Sequence, residues 1–384
     1  MIPRTVRALF RLLSPSPCDV DLTSVEWREL LAFADRTQIT LHLRGKAGLP
    51  TWVEAEIEAR RARNLERRRR LREAFGELED AFHKAALEFV VLKGFTHETG
   101  FGIDPEARVQ YDIDLLCASS DLPRAHQALG NLAYAPHTGR SLNDEHSKPW
   151  VRPYTWIWQG DYFDPEIPIA VELHETLWTP ARDRLPVDTA AFWRRRSGNS
   201  LCMADRAGFA ALHVLRHVLR QDARPAHTYE LARLLETGDA QMWRNWAEQH
   251  EPRLRALETI AFRFAGEWFG CRLPEAVERE WVRQPEAVRT WFRDFCWSPI
   301  ANLLERNKDS VWLHLALLED WSDRVHVLFH RIAPLRWPHE RFLHRLGYHA
   351  GALAPALLSG LRLWRRRRVS STASQISDWK RESV

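Results

Sequence analysis

The feature that most constrains this chain is a pair of aspartates, Asp112 and Asp114, inside the otherwise apolar stretch 112–116. Such a stretch predicts a short β-strand, in which side chains alternate with a period of two. The two carboxylates should therefore point to the same side, where they repel each other unless a cation or a partner compensates their charge. Oxygen ligands of this kind suit Mg²⁺, which usually also binds substrate phosphates. The pair therefore predicts a metal–nucleotide site.

Two segments before this pair could contribute cations. The apolar run 89–92 predicts a strand that ends in Lys93 and Gly94, which could contact a phosphate. Arg108 precedes Asp112 by four residues. Its guanidinium could pair with the aspartates or bind a phosphate in a bidentate fashion.

A third carboxylate is expected from a later strand, 169–174. Glu172 and His174 should share one face of it, whereas Val171 and Leu173 share the other. If this strand lies beside 112–116, Glu172 reaches the same cation, and three carboxylates can hold two divalent ions. His174 could orient Glu172, contact a substrate or be a structural histidine.

These motifs, in this order, resemble the uncharacterised nucleotidyltransferase family of the DNA polymerase β-like superfamily. The likeness is carried by Lys93-Gly94, Arg108, the Asp112-x-Asp114 pair and Glu172-x-His174, and by the segments 213–217 and 230–235. It covers about residues 65 to 240.

The resemblance implies an α+β fold, with a small mixed sheet, flanking helices, N-terminal helices and an α-helical C-terminal domain. It also implies that Asp112 and Asp114 bind Mg²⁺ and that Glu172 is the third acidic residue. Lys93 and Gly94 stand where the superfamily has a Gly-Ser phosphate-binding turn. The chain departs from that pattern because Phe95 replaces the serine.

The chain of 384 residues is long enough for more than one domain. We expect an N-terminal helical region (1–87), a nucleotidyltransferase-like core (88–200), a helical domain (201–340) and an apolar–basic helix with a polar tail (341–384). Single helices are predicted for 53–87, 281–295 and 312–329, and a further strand for 154–159.

Two histidines, His213 and His217, lie one helical turn apart on one face of a predicted helix. That spacing can bind zinc, but the sequence shows no further ligand. The alternatives are helix packing, or lining of the cleft between the domains, where the two histidines could contact substrate or support residues that do.

Composition narrows the class of protein and its location. The net charge of +4 does not by itself indicate nucleic acid, and few aromatic residues interleave the arginines between 60 and 72, so nucleic acid is not expected as a partner. Five scattered cysteines fit a reducing cytoplasm. The segment Leu343–Arg368 is apolar and then basic, a pattern that could touch the inner face of an anionic membrane.

Two functions follow as hypotheses. The first is a Mg²⁺-dependent (or Mn²⁺-dependent) nucleotidyltransferase that moves a nucleoside monophosphate from a nucleoside triphosphate to an unknown acceptor. The alternative is a non-catalytic adaptor on the same fold, which docks a partner or a membrane surface. The departure at Phe95 and the apolar–basic segment favour the alternative.

Overall fold

A five-stranded mixed sheet lies at the centre of the fold. The computed structural model describes residues 2–17, 19–137, 148–332 and 357–361. The strands are β1 (Phe89–Leu92), β2 (Asp112–Cys117), β3 (Ala135–Pro136), β4 (Trp150–Val151) and β5 (Ala170–His174), in the spatial order β1-β2-β5-β4-β3. The β2–β5 pair is parallel, and the other pairs are antiparallel.

Helices flank the sheet and make up the remainder of the described fold. Before and within the sheet lie α1 (Arg4–Leu12), α2 (Ser24–Arg36), α3 (Thr51–Lys84) and α4 (Leu122–Asn131). After it come α5 (Pro180–Asp183), α6 (Ala190–Arg194), α7 (Met203–Leu219), α8 (Pro225–Thr237), α9 (Ala240–Gln249), α10 (Pro252–Phe269), α11 (Glu275–Val282), α12 (Glu286–Phe295), α13 (Ser298–Leu304), α14 (Asp309–Leu317) and α15 (Trp321–Ile332). The predicted α+β class, with N-terminal helices and a helical C-terminal region, is confirmed.

The long helix α3 joins two apolar clusters. Its first turns bury Val53 and Ile57 in a large cluster shared with the C-terminal helices. Its later turns bury Leu78 and Phe82 against the sheet. Between the two halves, Arg67 is buried and donates hydrogen bonds to backbone carbonyls in the segments that precede β2 and β5. The helix therefore fixes where both of these strands begin.

The alternation of side chains gives the sheet two different faces. One face, with Ile113 and Leu115 at its centre, packs against α3 and α4. The opposite face carries Asp112 and Asp114 from β2, and its apolar residue Leu116 belongs to the large cluster on the side of the C-terminal helices. The acidic residues therefore lie on the side of the sheet that faces the C-terminal helices.

Three element predictions are wrong in detail. Residues 154–159 form no strand, because β4 ends at Val151 and the backbone nitrogen of Pro153 cannot donate to a neighbouring strand. The helix predicted for 281–295 is two helices, and Pro285 caps the second. The helix predicted for 312–329 is also two, because Leu318 is extended after α14.

The apolar–basic segment Leu343–Arg368 lies outside the described residues, except for the helical residues 357–361. Among the helices of the described part, none is both long enough and apolar enough to span a bilayer.

Candidate active site

The parallel pairing of β2 with β5 brings the acidic residues together. Asp114 lies opposite Glu172 in the register, and Leu116 lies opposite His174. In the described chain, Asp114, Glu172 and His174 form a group in which each offers one ligand atom within 4.8 Å of the others. Asp112 lies two residues before Asp114 on the same face of β2 and is half-buried. The expectation that Glu172 approaches Asp114 from a neighbouring strand therefore agrees with the geometry.

Two cationic or hydrogen-bonding groups contact the Asp114 carboxylate. Lys93 Nζ lies 3.1 Å from Asp114 Oδ1, and His174 Nε2 donates a hydrogen bond of 2.8 Å to the same oxygen. Burial alone would raise the pKa of the Asp114 carboxyl, but the Lys93 ammonium and the His174 hydrogen bond outweigh it and hold that pKa below its usual value. Asp114 is therefore ionised.

The other two carboxylates lack this degree of compensation. Burial, followed by the negative charge of Asp114, raises the pKa of Asp112. The same causes, with the charge of Asp112 added, raise the pKa of Glu172 to about 8. Raised carboxyl pKa values are expected for a group of metal-binding carboxylates without its metal ion. The positive charge of a bound ion would lower these pKa values.

The donor set fits a divalent ion. Asp114 and Glu172 offer carboxylate oxygens, which suit Mg²⁺ and Mn²⁺, and the imidazole of His174 belongs to the same group. Asp112 remains a predicted further ligand. These residues, rather than any cysteine cluster, are the ones that would hold the cofactor.

The turn after β1 places Lys93 and Gly94 beside the carboxylates. Both residues have positive φ angles, 52° and 46°. A positive φ is uncommon for lysine. A Cβ atom on Gly94 would lie 2.5 Å from Gln110 Nε2, so glycine also permits a close approach. Phe95 instead packs against Phe75, with ring centroids 5.1 Å apart, and has no role in the turn's polar face.

Gln110 connects this turn to the two predicted ligand segments. Its Nε2 donates to the backbone carbonyl of Asp112 (2.7 Å), and its Oε1 accepts a hydrogen bond of 3.3 Å from Arg108 Nη1. A displacement of Gln110 would therefore move Arg108 and alter the start of β2.

Arg108 is held by a buried acid from the helical region. Its Nε lies 2.8 Å from Glu230 Oε1, and His97 Nδ1 lies 2.7 Å from Glu230 Oε2. Burial would raise the pKa of Glu230, but the charge of Arg108 outweighs it and lowers that pKa well below its usual value. Glu230 thus fixes Arg108 in place, while one side of the guanidinium still reaches Gln110.

A histidine cluster from α7 and α8 lies next to Glu230, since His227 Nδ1 is 3.7 Å from Glu230 Oε2. The histidine cluster consists of His213, His217 and His227. The ring centroid of His213 lies 4.5 Å from that of His217 and 4.8 Å from that of His227. Burial, and then the nearby charge of Lys93, lower the pKa of His213 well below its usual value. Burial lowers that of His217 to about 3. Both rings are therefore neutral at physiological pH.

The predicted site residues thus divide into two groups. Lys93, Asp114, Glu172 and His174 lie together, whereas Arg108 is coupled to Glu230. Sequence reasoning gave no role to Gln110, Glu230, His97 or His227. Gln110 could have been found, because it shares the two-residue spacing of Arg108, Asp112 and Asp114. Glu230 and His227 gave no such signal, because they meet Arg108 and His213 only through the tertiary fold.

Comparisons with known proteins give one result. The family described as "Uncharacterised nucleotidyltransferase" matches residues 23–270. Neither a curated protein nor a solved structure gives a significant match. The match covers well over half of the chain and includes every residue of the site described above. The chain therefore belongs to the uncharacterised nucleotidyltransferase family.

Proposed function

We propose that this protein is a divalent-metal-dependent nucleotidyltransferase that transfers a nucleoside monophosphate from a nucleoside triphosphate to an acceptor hydroxyl. The observation that carries the proposal is the convergence of Asp114, Glu172 and His174 within 4.8 Å, on adjacent parallel strands, in a chain of this family. Mg²⁺ or Mn²⁺, when bound by these residues and Asp112, would offset the negative charge of the carboxylates and of the substrate phosphates.

The chain's own cations would position the triphosphate. Lys93 lies beside the carboxylates, and Gly94 follows it in the same turn, where the lack of a Cβ leaves room for Gln110. Arg108 is fixed by Glu230, so its contribution to binding would come at little cost in side-chain entropy. Positioning of the substrate and stabilisation of the charge that develops in the transition state are the main contributions of proteins to phosphoryl transfer.

The reaction exchanges one phosphorus–oxygen bond for another. The acceptor oxygen forms a bond to the α-phosphorus, the bond from that phosphorus to the bridging oxygen breaks, and pyrophosphate leaves with the electron pair. The acceptor's proton is released to water. The neutral rings of His213 and His217 would line the substrate side without adding charge.

The test is release of pyrophosphate from each of the four nucleoside triphosphates with Mg²⁺ or Mn²⁺. We expect turnover with at least one of them. Asp114→Ala should abolish it, because it removes a metal ligand, while the far-ultraviolet circular dichroism stays unchanged. Glu172→Gln should reduce turnover more than nucleotide affinity. Asp80→Asn, which changes an exposed aspartate of α3 outside the site, is the matched control.

A folded Asp114→Ala protein with wild-type turnover would overturn the proposal. If no triphosphate reacts and none changes the melting temperature, the non-catalytic adaptor is favoured. One observation supports that alternative, since Phe95 packs into the apolar cluster instead of supplying a hydroxyl to the turn.

A further inference from the structure

A cavity of about 420 Å³ lies where β2 and β5 end, and we call it the strand-end cavity. Its wall includes Leu116 and Cys117 from β2 and residues 175–178, which follow β5. Leu116 is the register partner of His174, whose imidazole bonds Asp114. Two residues of strand, about 7 Å, separate Leu116 from Asp114. A molecule in the cavity would therefore lie two register pairs away from the carboxylates.

The inner wall of the cavity is apolar and rigid. Trp178 is buried, and its indole N–H donates a hydrogen bond of 2.7 Å to the carbonyl of Leu185. The Arg216 guanidinium lies over the Trp178 ring at 5.0 Å from its centroid and also donates to the carbonyl of Leu177. A wall fixed in this way favours a ligand with a flat apolar body, because little side-chain freedom is lost on binding.

The rim of the cavity carries two exposed side chains of opposite charge. Glu175 and Arg194 are exposed, and neither forms a hydrogen bond or an ion pair with any other residue that the structure describes. Asp188 differs, because its carboxylate accepts a hydrogen bond of 2.8 Å from the backbone N–H of Ala190. A ligand with both an ammonium and a carboxylate group would match Glu175 and Arg194.

We propose that the strand-end cavity binds the acceptor of the reaction, and that the acceptor is a zwitterionic small molecule with an apolar body and a hydroxyl group, of the type of an aromatic amino acid. The inference rests on the proposed function. The hydroxyl oxygen would form the new bond to the α-phosphorus, the bond to the leaving pyrophosphate would break, and the hydroxyl proton would be released to water.

Binding can be measured without metal or nucleotide. Three probes share a phenol and differ in charge: L-tyrosine, tyramine and 3-(4-hydroxyphenyl)propionate. Ligand-observed NMR should give the lowest Kd for L-tyrosine, by about threefold over each of the other two, because each of those loses one exposed charge interaction. Equal affinities, or no binding of any probe, would overturn the inference.

Variants locate the binding. Ala190→Trp places a large ring in the cavity and should abolish binding of all three probes, whereas Ala55→Trp, on an exposed face of α3, should not. Arg194→Gln should remove the preference for L-tyrosine over tyramine, because, of these two, only L-tyrosine has a carboxylate that would contact Arg194. The preference over 3-(4-hydroxyphenyl)propionate should remain. Arg289→Gln, an exposed arginine of α12, is its control. Binding that survives Ala190→Trp would contradict the assignment to this cavity.

The acceptor role has its own readout. Wild-type protein with a triphosphate, Mn²⁺ and L-tyrosine should yield tyrosine heavier by one nucleoside monophosphate, detected by mass spectrometry, and Ala190→Trp should not. Bound L-tyrosine that gains no nucleotide while pyrophosphate is released would overturn the acceptor role but leave the proposed function standing. Absence of pyrophosphate release in wild type would overturn the proposed function itself, while probe binding stays measurable.

Discussion

At the residue scale, the site depends on the carboxylate of Asp114. One of its oxygens, Oδ1, contacts both Lys93 and His174. This arrangement keeps Asp114 charged, whereas Asp112 and Glu172 hold their protons more tightly than usual. A divalent ion would therefore bind first to the ionised Asp114. It would then favour ionisation of Asp112 and Glu172, because its charge lowers the pKa of each carboxyl that it binds.

Gly94 offers a test at the scale of one atom. Gly94→Ala should weaken nucleotide binding by about tenfold, because the added Cβ displaces Gln110 and with it Arg108. Gly160→Ala is the matched control: Gly160 also has a positive φ, 85°, but has open space around the site of a Cβ. Both variants should lose about 1 kcal/mol of unfolding free energy to backbone strain, measured by denaturant titration. Equal nucleotide affinity in the two variants would contradict this role of Gln110.

The two-residue period of a strand was enough to predict that Asp112 and Asp114 share a face, and that Glu172 and His174 do. The same period could not show that Lys93 bonds Asp114, since that contact depends on the positive φ angles of the turn after β1. The ion pair between Arg108 and Glu230 could not be predicted from spacing either, because the two residues are far apart in the sequence and meet only where the sheet region contacts α8.

At the scale of helices, a buried polar network joins α7 and α10 to the residues that directly follow α6 and α9. His250 donates from Nδ1 to Glu258 (2.9 Å) and from Nε2 to Asp205 (3.0 Å), and Arg195 also bonds Asp205. With His250 protonated, two cations balance two carboxylates. Burial would lower the pKa of His250, but Glu258 and Asp205 outweigh it and raise that pKa to about 9.

This network predicts a pH dependence of stability. A raised pKa in the folded state means that the stabilisation is complete below the ordinary histidine value near 6.5 and is lost as pH rises through about 9. The unfolding free energy should fall by about 2–3 kcal/mol between pH 6.5 and 9.5. In His250→Gln that fall should disappear, whereas His83→Gln, an exposed control, should keep it. A wild-type protein equally stable at both pH values would refute the charged state of His250.

A second prediction concerns the close contact of α7 with this network. A Cβ on Gly208 would lie 2.3 Å from Glu258 Oε1, and the surrounding hydrogen bonds prevent Glu258 from moving aside. Gly208→Ala should therefore cost about 2 kcal/mol or more of unfolding free energy. Gly76→Ala, on an exposed turn of α3 with open space, should instead stabilise by up to about 1 kcal/mol, because alanine favours helix. Thermal unfolding of the two variants in parallel would show opposite shifts, and shifts of the same sign would argue against the contact.

Helical periodicity predicted that α3 exists and where it lies, but not what its arginines do. Most of them pair with acidic residues, and Arg69, which pairs with Glu66 and Glu73, does so on an exposed charged face. Arg67 is the exception, since it is buried and, in the described part of the chain, its hydrogen bonds go only to carbonyls in the segments that precede β2 and β5. Nothing in a run of four arginines distinguishes the buried one, because burial depends on the loops that pack against it.

On the scale of the whole molecule, the large apolar cluster extends from α1 to α15 and includes one face of the sheet. The predicted boundaries at residues 87, 200 and 340 stay a prediction, which limited proteolysis can test by the position of the first cuts. The acidic residues lie at the junction of this cluster with the sheet, so both halves of the fold supply the site. The family match, which runs from residue 23 to 270, spans the same junction.

The central claim is that the carboxylates of β2 and β5 bind a divalent ion together with a nucleotide. The most direct measurement is Mn²⁺ binding by electron paramagnetic resonance, with a non-hydrolysable triphosphate present. Wild type and Asp80→Asn should bind Mn²⁺, and Asp114→Asn should bind it at least tenfold more weakly, because it replaces a charged ligand with a neutral one. Equal Mn²⁺ affinity in Asp114→Asn and wild type, or no binding by wild type, would contradict the account.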